Sequence, residues 1–390
     1  MRRWVAVLGC LALVPHLATA QVPIDTAGGW TFTFAGNAGA FYVFELESDN
    51  GSVVSPGSAV GIGRRGSAVR SGYLPSFAVL EASGVEGSTA LSAHFGLAPV
   101  VQTEGGHDDP DGLGARVDLR QAYLTVGGDW GEVLAGREVG IFFKQSMLDD
   151  MTLFGTGAVG GISGNPGGTT LGHGGFGYIF PGFNAQIAYH SPNDRELRFS
   201  AAIFDPSVNN GFDELLLPRL EAEASWDRNG VVVWGSGLAQ HQRDTRLDAS
   251  ATAWGVSAGA RFSRRGVTLS AQGYWGQGIG ATMMFQDGRT SDTTSVNLRP
   301  GFGYLGQVTW RQPGRALTVG ASFGASHLEN AFGEAPFKTI NRAATAGAYL
   351  QATRSLKVVG EVTHAWSTDA DPATTANRAL AVATGLMLFF

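Results

Sequence analysis

From Arg219 to Trp226 the chain alternates. Arg219, Glu221, Glu223 and Ser225 fall on one side of an extended segment, and Leu220, Ala222, Ala224 and Trp226 on the other. Successive side chains of a strand point to opposite faces, so this period of two predicts a β-strand with one apolar and one polar face. The pattern returns in Trp254–Ser263, Val267–Gly276, Ala316–Gly324 and Leu356–Trp366. In each, the polar side carries Arg, Glu, Gln, Thr and much Gly. Aromatic residues (Trp226, Trp254, Trp275, Trp310 and Trp366) stand at strand ends, the position Trp and Tyr favour where an apolar layer meets water. Apolar outward faces, aromatic girdles and a polar interior are the pattern of a transmembrane barrel.

About sixteen such segments are predicted: Trp30–Glu47, Ser76–Ala82, Thr89–Val101, Val117–Val126, Gly131–Glu138, Phe183–Ser191, Glu196–Phe204, Arg219–Trp226, Val231–Gln240, Trp254–Ser263, Val267–Gly276, Phe302–Arg311, Ala316–Ser326, Arg342–Thr353, Leu356–Trp366 and Asn377–Phe390. The number is even, as single-chain bacterial barrels require. Their connections alternate between short (Gly127–Trp130, Asp227–Gly230, Arg264–Gly266, Gln312–Arg315) and long (Ser48–Pro75, Gln102–Arg116, Val139–Gly182, His241–Ala253). Short periplasmic turns alternating with long extracellular loops belong to outer-membrane barrels. Closure removes the edge strands that an open sheet would expose and satisfies backbone groups that cannot sit unpaired in lipid.

Composition agrees. Of 390 residues, 44% are hydrophobic, only 15% are charged, 57 are Gly and 1 is Cys. That is too apolar and aromatic for disorder. One cysteine cannot make a disulfide framework. Beyond the first 20 residues no stretch approaches the ~18 apolar residues of a spanning helix. The start differs: Met1-Arg2-Arg3, an apolar run from Trp4 to Val14 and Ala18-Thr19-Ala20 read as a secretory signal peptide, residues 1–20, cut after Ala20. Cys10 lies within it, and the run before it is too short for a lipoprotein signal. Residues 21–390 then form one β-barrel domain with 25 basic and 33 acidic side chains, a net charge of −8. An acidic balance argues against nucleic-acid binding.

The C-terminal strand ends Thr384-Gly385-Leu386-Met387-Leu388-Phe389-Phe390. Gly385, Leu388 and the terminal Phe390 resemble the signal read by the outer-membrane barrel assembly machinery. The segment from Arg120-Gln121-Ala122-Tyr123 through Gly127-Gly128-Asp129-Trp130-Gly131 to Gly136-Arg137 resembles the strand–turn–strand motif of Gram-negative general porins. Trp130 stands for the usual Phe and Glu138 for the usual Gln; Tyr189, Ser191 and Pro192 resemble the strand after that family's third loop.

The resemblance implies an all-β fold, a sixteen-stranded antiparallel transmembrane barrel with a long third loop folded into the lumen. It also implies a homotrimer in the outer membrane, passing small hydrophilic solutes and ions by passive diffusion without a cofactor. That loop is Val139–Gly182, the longest connection, rich in Gly and Phe; loops of this length are usually functional or disordered. By the resemblance Asp149 and Asp150 belong to the loop side of a constriction with Lys144 beside them, and Arg120 and Arg137 to the pore wall. His94 falls on the polar face of its strand and reads as a wall residue. Charged rings set selectivity in pores; the −8 charge and the loop carboxylates make weak cation preference the expectation.

Other chemistry is faint. Asp108-Asp109-Pro110-Asp111-Gly112 lacks the alternate spacing and distal Glu of a calcium loop. The acidic loop residues Asp205, Asp213, Glu214, Asp369 and Asp371 suit divalent ions bridging lipopolysaccharide. The eight His residues form no metal-ligand spacing, and the Gly runs Gly155–Gly161 and Gly172–Gly177 match no nucleotide fingerprint. Two rival functions stand beside the diffusion pore. One is a substrate-specific channel for a sugar, organic acid or anion; a sugar channel would carry a ladder of pore aromatics, and the inward faces show only scattered ones, Tyr274 and Tyr349. An outer-membrane enzyme would need a Ser–His pair; Ser92 and His94 have the spacing and no evident third partner.

Overall fold

The computed structural model describes residues 22–25, 28–48, 57–61, 63, 65–101, 117–160, 169–206, 212–283, 287–290, 296–369 and 376–390. The signal-peptide expectation for 1–20, the Asp108–Gly112 segment, Gly161 and Asp371 lie outside them. Eighteen strands follow one another: β1 (Val22–Asp25), β2 (Trp30–Glu47), β3 (Arg65–Arg70), β4 (Phe77–Glu86), β5 (Thr89–Pro99), β6 (Val117–Gly128), β7 (Gly131–Val139), β8 (Phe183–His190) and β9 (Leu197–Phe204). Then come β10 (Arg219–Arg228), β11 (Val231–Asp244), β12 (Ala249–Arg264), β13 (Val267–Gln277), β14 (Pro300–Arg311), β15 (Leu317–Glu329), β16 (Lys338–Gln351), β17 (Leu356–Thr368) and β18 (Asn377–Phe389). A single helical turn of note, α1 (Lys144–Asp149), lies between β7 and β8.

From β4 onward each strand pairs antiparallel with the next, and β18 returns to β2, with Ala379 opposite Glu47 and Phe389 opposite Asn37. The sheet closes. β3 and β4 occupy successive stretches of the same side of β2, opposite Phe41–Leu46 and Trp30–Asn37. They are one barrel strand interrupted at 71–76. On the other side of β2, β1 stands opposite Thr31–Phe34 and continues the line that β18 leaves at its C-terminus. The barrel therefore has sixteen staves. No helix among the described residues is long and apolar enough to cross a membrane; the strands do so.

The faces separate as the alternation demands. Leu220, Phe262, Leu269, Val308, Phe323 and Val362 are between 39% and 52% exposed. Their chain neighbours Glu221, Ser270, Ser322 and Glu361 are all buried. The apolar side chains thus point out of the barrel, where lipid covers them, and the polar ones point in. The outcome is opposite to a dry sandwich, in which the apolar faces would meet.

Three details depart from the alternation. Between Gly96 and Leu97 the register of β5 on β6 shifts, and Gln121 and Leu119 become the partners of these two residues. Arg120 is the extra residue of a β-bulge, which breaks the period locally and explains why Val117–Val126 alternates poorly. In β7, Gly136 has φ 135°, and a Cβ there would overlap the Ala122 carbonyl, so only glycine fits. And β11 and β12 run on to Asp244 and Ala249, with His241 Nδ1 3.0 Å from Thr252 Oγ1; the connection expected at His241–Ala253 shortens to a tip at 245–248. Two-residue turns close the opposite end. Asn229-Gly230 and Arg265-Gly266 both have positive φ, the conformation that joins twisted antiparallel strands without splay.

Candidate functional site on the inner wall

The segment between β7 and β8 is held to the inner faces of distant strands by carboxylates. At its start, Phe142 N donates to Glu221 Oε2 on β10 at 2.7 Å. Glu221 also pairs with Arg219 at 2.8 Å, both fully buried, and Arg219 lies over the Phe204 ring at 4.8 Å. At the end of α1, Arg261 Nη1 on β12 donates to Asp149 Oδ1 at 2.9 Å, and Ser270 Oγ on β13 donates to the other oxygen. Gln307 on β14 accepts Met151 N at 2.9 Å and donates to the Asp149 carbonyl. Further along, Glu361 Oε2 on β17 accepts Thr156 N at 2.7 Å, Thr156 Oγ1 at 3.0 Å and Gly157 N at 2.8 Å. Tyr349 donates to its other oxygen at 2.6 Å. A Cβ on Gly155 would overlap Glu361 Oε1, so glycine is what lets the loop come this close.

Asp150 is the knot inside the segment. It accepts Thr152 N and Oγ1 (2.9 and 2.8 Å), His173 N (3.0 Å) and Tyr178 OH (2.9 Å), with His173 Nδ1 at 3.0 Å. Burial pushes its pKa up, but the charge and hydrogen bonds of His173 and the bonds from Thr152 outweigh it and hold the carboxyl below its ordinary range. For Asp149 burial wins over Ser270 and Arg261, and the pKa is raised. Burial, and next the Asp150 charge, lift the Tyr178 phenol well above its usual value, so it stays a protonated donor. Tyr73 OH is 2.6 Å from Tyr178 OH. It sits in the 71–76 interruption, whose Tyr73 N and Leu74 N also donate to the Gly155 and Leu153 carbonyls. His173 Nε2 reaches Ser322 Oγ on β15 at 3.1 Å. Phe142, Phe143, Tyr178 and Ile179 pack with the inward Leu238, Tyr274 and Leu305 of the wall.

The residues singled out from sequence fall in different places. Lys144 opens α1 and is half-buried. Asp149 and Asp150 do lie together in the segment between β7 and β8. Asp149 meets Arg261 rather than Arg120 or Arg137, and Asp150 is turned into the loop itself, which differs from the opposed acidic and basic faces expected. Arg120, at the bulge, pairs with Asp118 at 2.9 Å and lies 5.5 Å over the Phe183 ring. Arg137 is exposed, opposite Ala122 and Ala185 and directly after the Gly136 kink. His94 is buried in a chain along the wall, 3.4 Å from Glu81 and 3.4 Å from Gln121, whose amide donates to Glu138 at 2.8 Å; its ring stacks on Tyr123.

At the C-terminus, Gly385 leaves room for the Phe41 ring, Leu388 points outward at 47% exposure, and Phe390 exchanges backbone hydrogen bonds with Gly36. Glu221, Arg261 and Glu361 were visible only as charges on polar strand faces. His173, Tyr73 and Tyr178 carried no signal, because their partner Asp150 is supplied by the folded loop. Among the described residues no cluster of His, Cys, Asp and Glu could hold a metal.

A closed sixteen-stave barrel with lipid-facing apolar residues and a long segment tied across its inner wall defines an outer-membrane channel. The Gram-negative porin family model matches residues 7–383, and the chain belongs to that family. No curated protein matches the sequence significantly. Among solved structures, the outer membrane channel DcaP of Acinetobacter baumannii aligns with a TM-score of 0.69 at 14% identity, covering 94% of this chain and 99% of that one. An anion-selective porin from Comamonas acidovorans aligns at 0.65 and 14% identity, over 93% and 100% of the two chains. Salmonella typhi OmpF in complex with daunomycin aligns at 0.57 and 13%, over 95% and 100%. The protein is a porin of the outer membrane, forming a water-filled channel for passive diffusion of small hydrophilic solutes and ions.

Proposed function

We propose that the segment between β7 and β8 forms the constriction of this channel and that the channel prefers cations weakly. What supports the preference is the inner wall, where Glu45, Glu47, Glu81 and Glu138 are all buried on the polar side of their strands, against the single cation Lys144 in α1. Asp149 is already matched by Arg261, so the excess negative charge is on the wall, not on the loop. Fixed charge at a narrow passage raises the local concentration of the opposite ion. Reversal potentials across a KCl gradient test this: a potential of the sign set by K⁺ is expected, and one set by Cl⁻ would reject it.

The same reading takes the protein as a homotrimer; one of the structural relatives, OmpT of Vibrio cholerae, is known in a trimer form. Its further partners are outer-membrane lipid and lipopolysaccharide, and the barrel assembly machinery acting at Gly385, Leu388 and Phe390. It carries no catalysis. What supports this is that Ser92 Oγ bonds Thr125 Oγ1 at 2.8 Å while His94 is engaged by Glu81 and Gln121, and that the second Ser–His pair, Ser322 with His173 on Asp150, is buried between loop and wall, where it ties the two together.

A further inference from the structure

At the short-turn end, two neighbouring turns concentrate arginine. The turn from β12 to β13 reads Arg264-Arg265-Gly266, and the turn from β14 to β15 follows Arg311 with Gln312-Pro313-Gly314-Arg315-Ala316. Neither contains an acidic residue. The turns are joined, since Arg311 N donates to the Gly266 carbonyl at 2.8 Å. Between them lies an open cavity of about 660 Å³ lined by Arg265, Arg311 and Arg315. All three side chains are exposed, and none forms an ion pair among the described residues, whereas at other turns of this end Arg195 has Asp194 and Arg228 has Glu196. In a chain of net charge −6, three unmatched guanidiniums round one cavity are a local reversal of sign.

The cavity also has a fixed height. Val267 and Trp310 stand opposite each other, two residues after Arg265 and one before Arg311, 37% and 43% exposed on the outward face. A tryptophan at the end of an outward apolar face marks the lipid–headgroup boundary. The arginines therefore sit at the depth of the headgroup phosphates of the periplasmic leaflet. Guanidinium forks match phosphate oxygens in shape as well as charge.

We propose that Arg265, Arg311 and Arg315 form a binding site for phosphate, occupied in the membrane by the headgroup of an anionic phospholipid of the periplasmic leaflet. A headgroup with two phosphodiesters, such as cardiolipin, engages the three arginines at once, while zwitterionic phosphatidylethanolamine is held less firmly because its own ammonium offsets the phosphate. The site is independent of the channel's ion preference.

The test reconstitutes the full barrel in equal cardiolipin and phosphatidylethanolamine, strips it with mild detergent and counts retained lipids by native mass spectrometry. Wild type is expected to keep cardiolipin preferentially. The variant R265Q/R311Q/R315Q is expected to lose that preference by about fivefold per arginine, and Arg195→Gln, at a turn where the charge is already paired, to keep it. Heat-modifiable migration and an unchanged unitary conductance show that each variant is folded; should the triple variant not fold, the single variants Arg265→Gln and Arg311→Gln are read instead. Equal retention by wild type and variant overturns the proposal. So does calorimetric binding of inorganic phosphate to the delipidated protein without any cardiolipin preference, which would move the site from lipid to a soluble anion. Wild-type conductance in the same preparation separates either failure from a failure of the porin reading.

Discussion

Glu361 on β17 accepts the backbone N–H of Gly157 at 2.8 Å, across 204 residues of chain. With the bonds to Thr156 and from Tyr349, the buried carboxylate is satisfied only when the loop is in place. We expect Glu361→Ala to orphan the loop N–H groups and cost about 3 kcal/mol, since hydrogen bonds to a charged group contribute roughly 1.5–3 kcal/mol each and buried donors left unmade add to the loss. A lower urea midpoint in micelles and noisier open-channel current check this; wild-type values for both would contradict it.

The Asp149–Arg261 pair has one buried and one part-exposed partner, so its worth is discounted for solvent screening. A double-mutant cycle with Asp149→Asn and Arg261→Gln should give a coupling of about 1 kcal/mol in equilibrium unfolding. The same cycle with Arg137→Gln in place of Arg261→Gln should give none, since Asp149 meets Arg261.

Asp150 sets the acid behaviour of the loop. Its pKa in the fold is below the ordinary value of 3.8, so the ionised form is favoured by folding. The stabilisation is complete above the ordinary carboxylate range and is lost as pH falls through the lowered folded value. Amide exchange of residues 150–160 and 169–178 should stay slow through mildly acidic pH and quicken only below pH ~4. In Asp150→Asn the exchange should be faster at neutral pH and respond less to acid; quickening already near pH 6 in wild type would point to a different group.

Sixteen staves were legible because each outward side chain is apolar wherever lipid covers it, a constraint that acts residue by residue. The short β1 and β3 were not: Arg65–Arg70 and Val22–Asp25 are paired by long β2 rather than by their own pattern. Arg120 was ambiguous for a reason now visible, the bulge at Gly96/Leu97. The loop's position could be expected only through resemblance. Its anchors Glu221, Arg261 and Glu361 lie 79 to 205 residues from their partners, and nothing local in the sequence marks which inward charge meets which loop atom.

Lys144 is a half-buried cation at the start of α1 in the loop, so under the proposed reading its charge opposes the cation preference. Lys144→Glu should move the reversal potential toward the K⁺ limit with little loss of conductance. A shift toward Cl⁻ would contradict the placement of that side chain.

Leu269 is 49% exposed on the outward face and its neighbour Ser270 is buried on the inward one. Leu269→Arg should weaken folding into vesicles by about 1–2 kcal/mol, between the cost of a cation on the lipid face at mid-membrane and the smaller cost at the interface, because Leu269 lies two residues from the boundary residue Val267. Leu269→Val should be nearly silent in the same urea titration.

The most direct measurement is single-channel recording of the purified chain in planar bilayers. Expected are stepwise, ohmic currents whose conductance rises in proportion to bulk KCl, as water-filled passage requires. Folded, membrane-inserted protein that passes no ions at any salt concentration would contradict the channel itself.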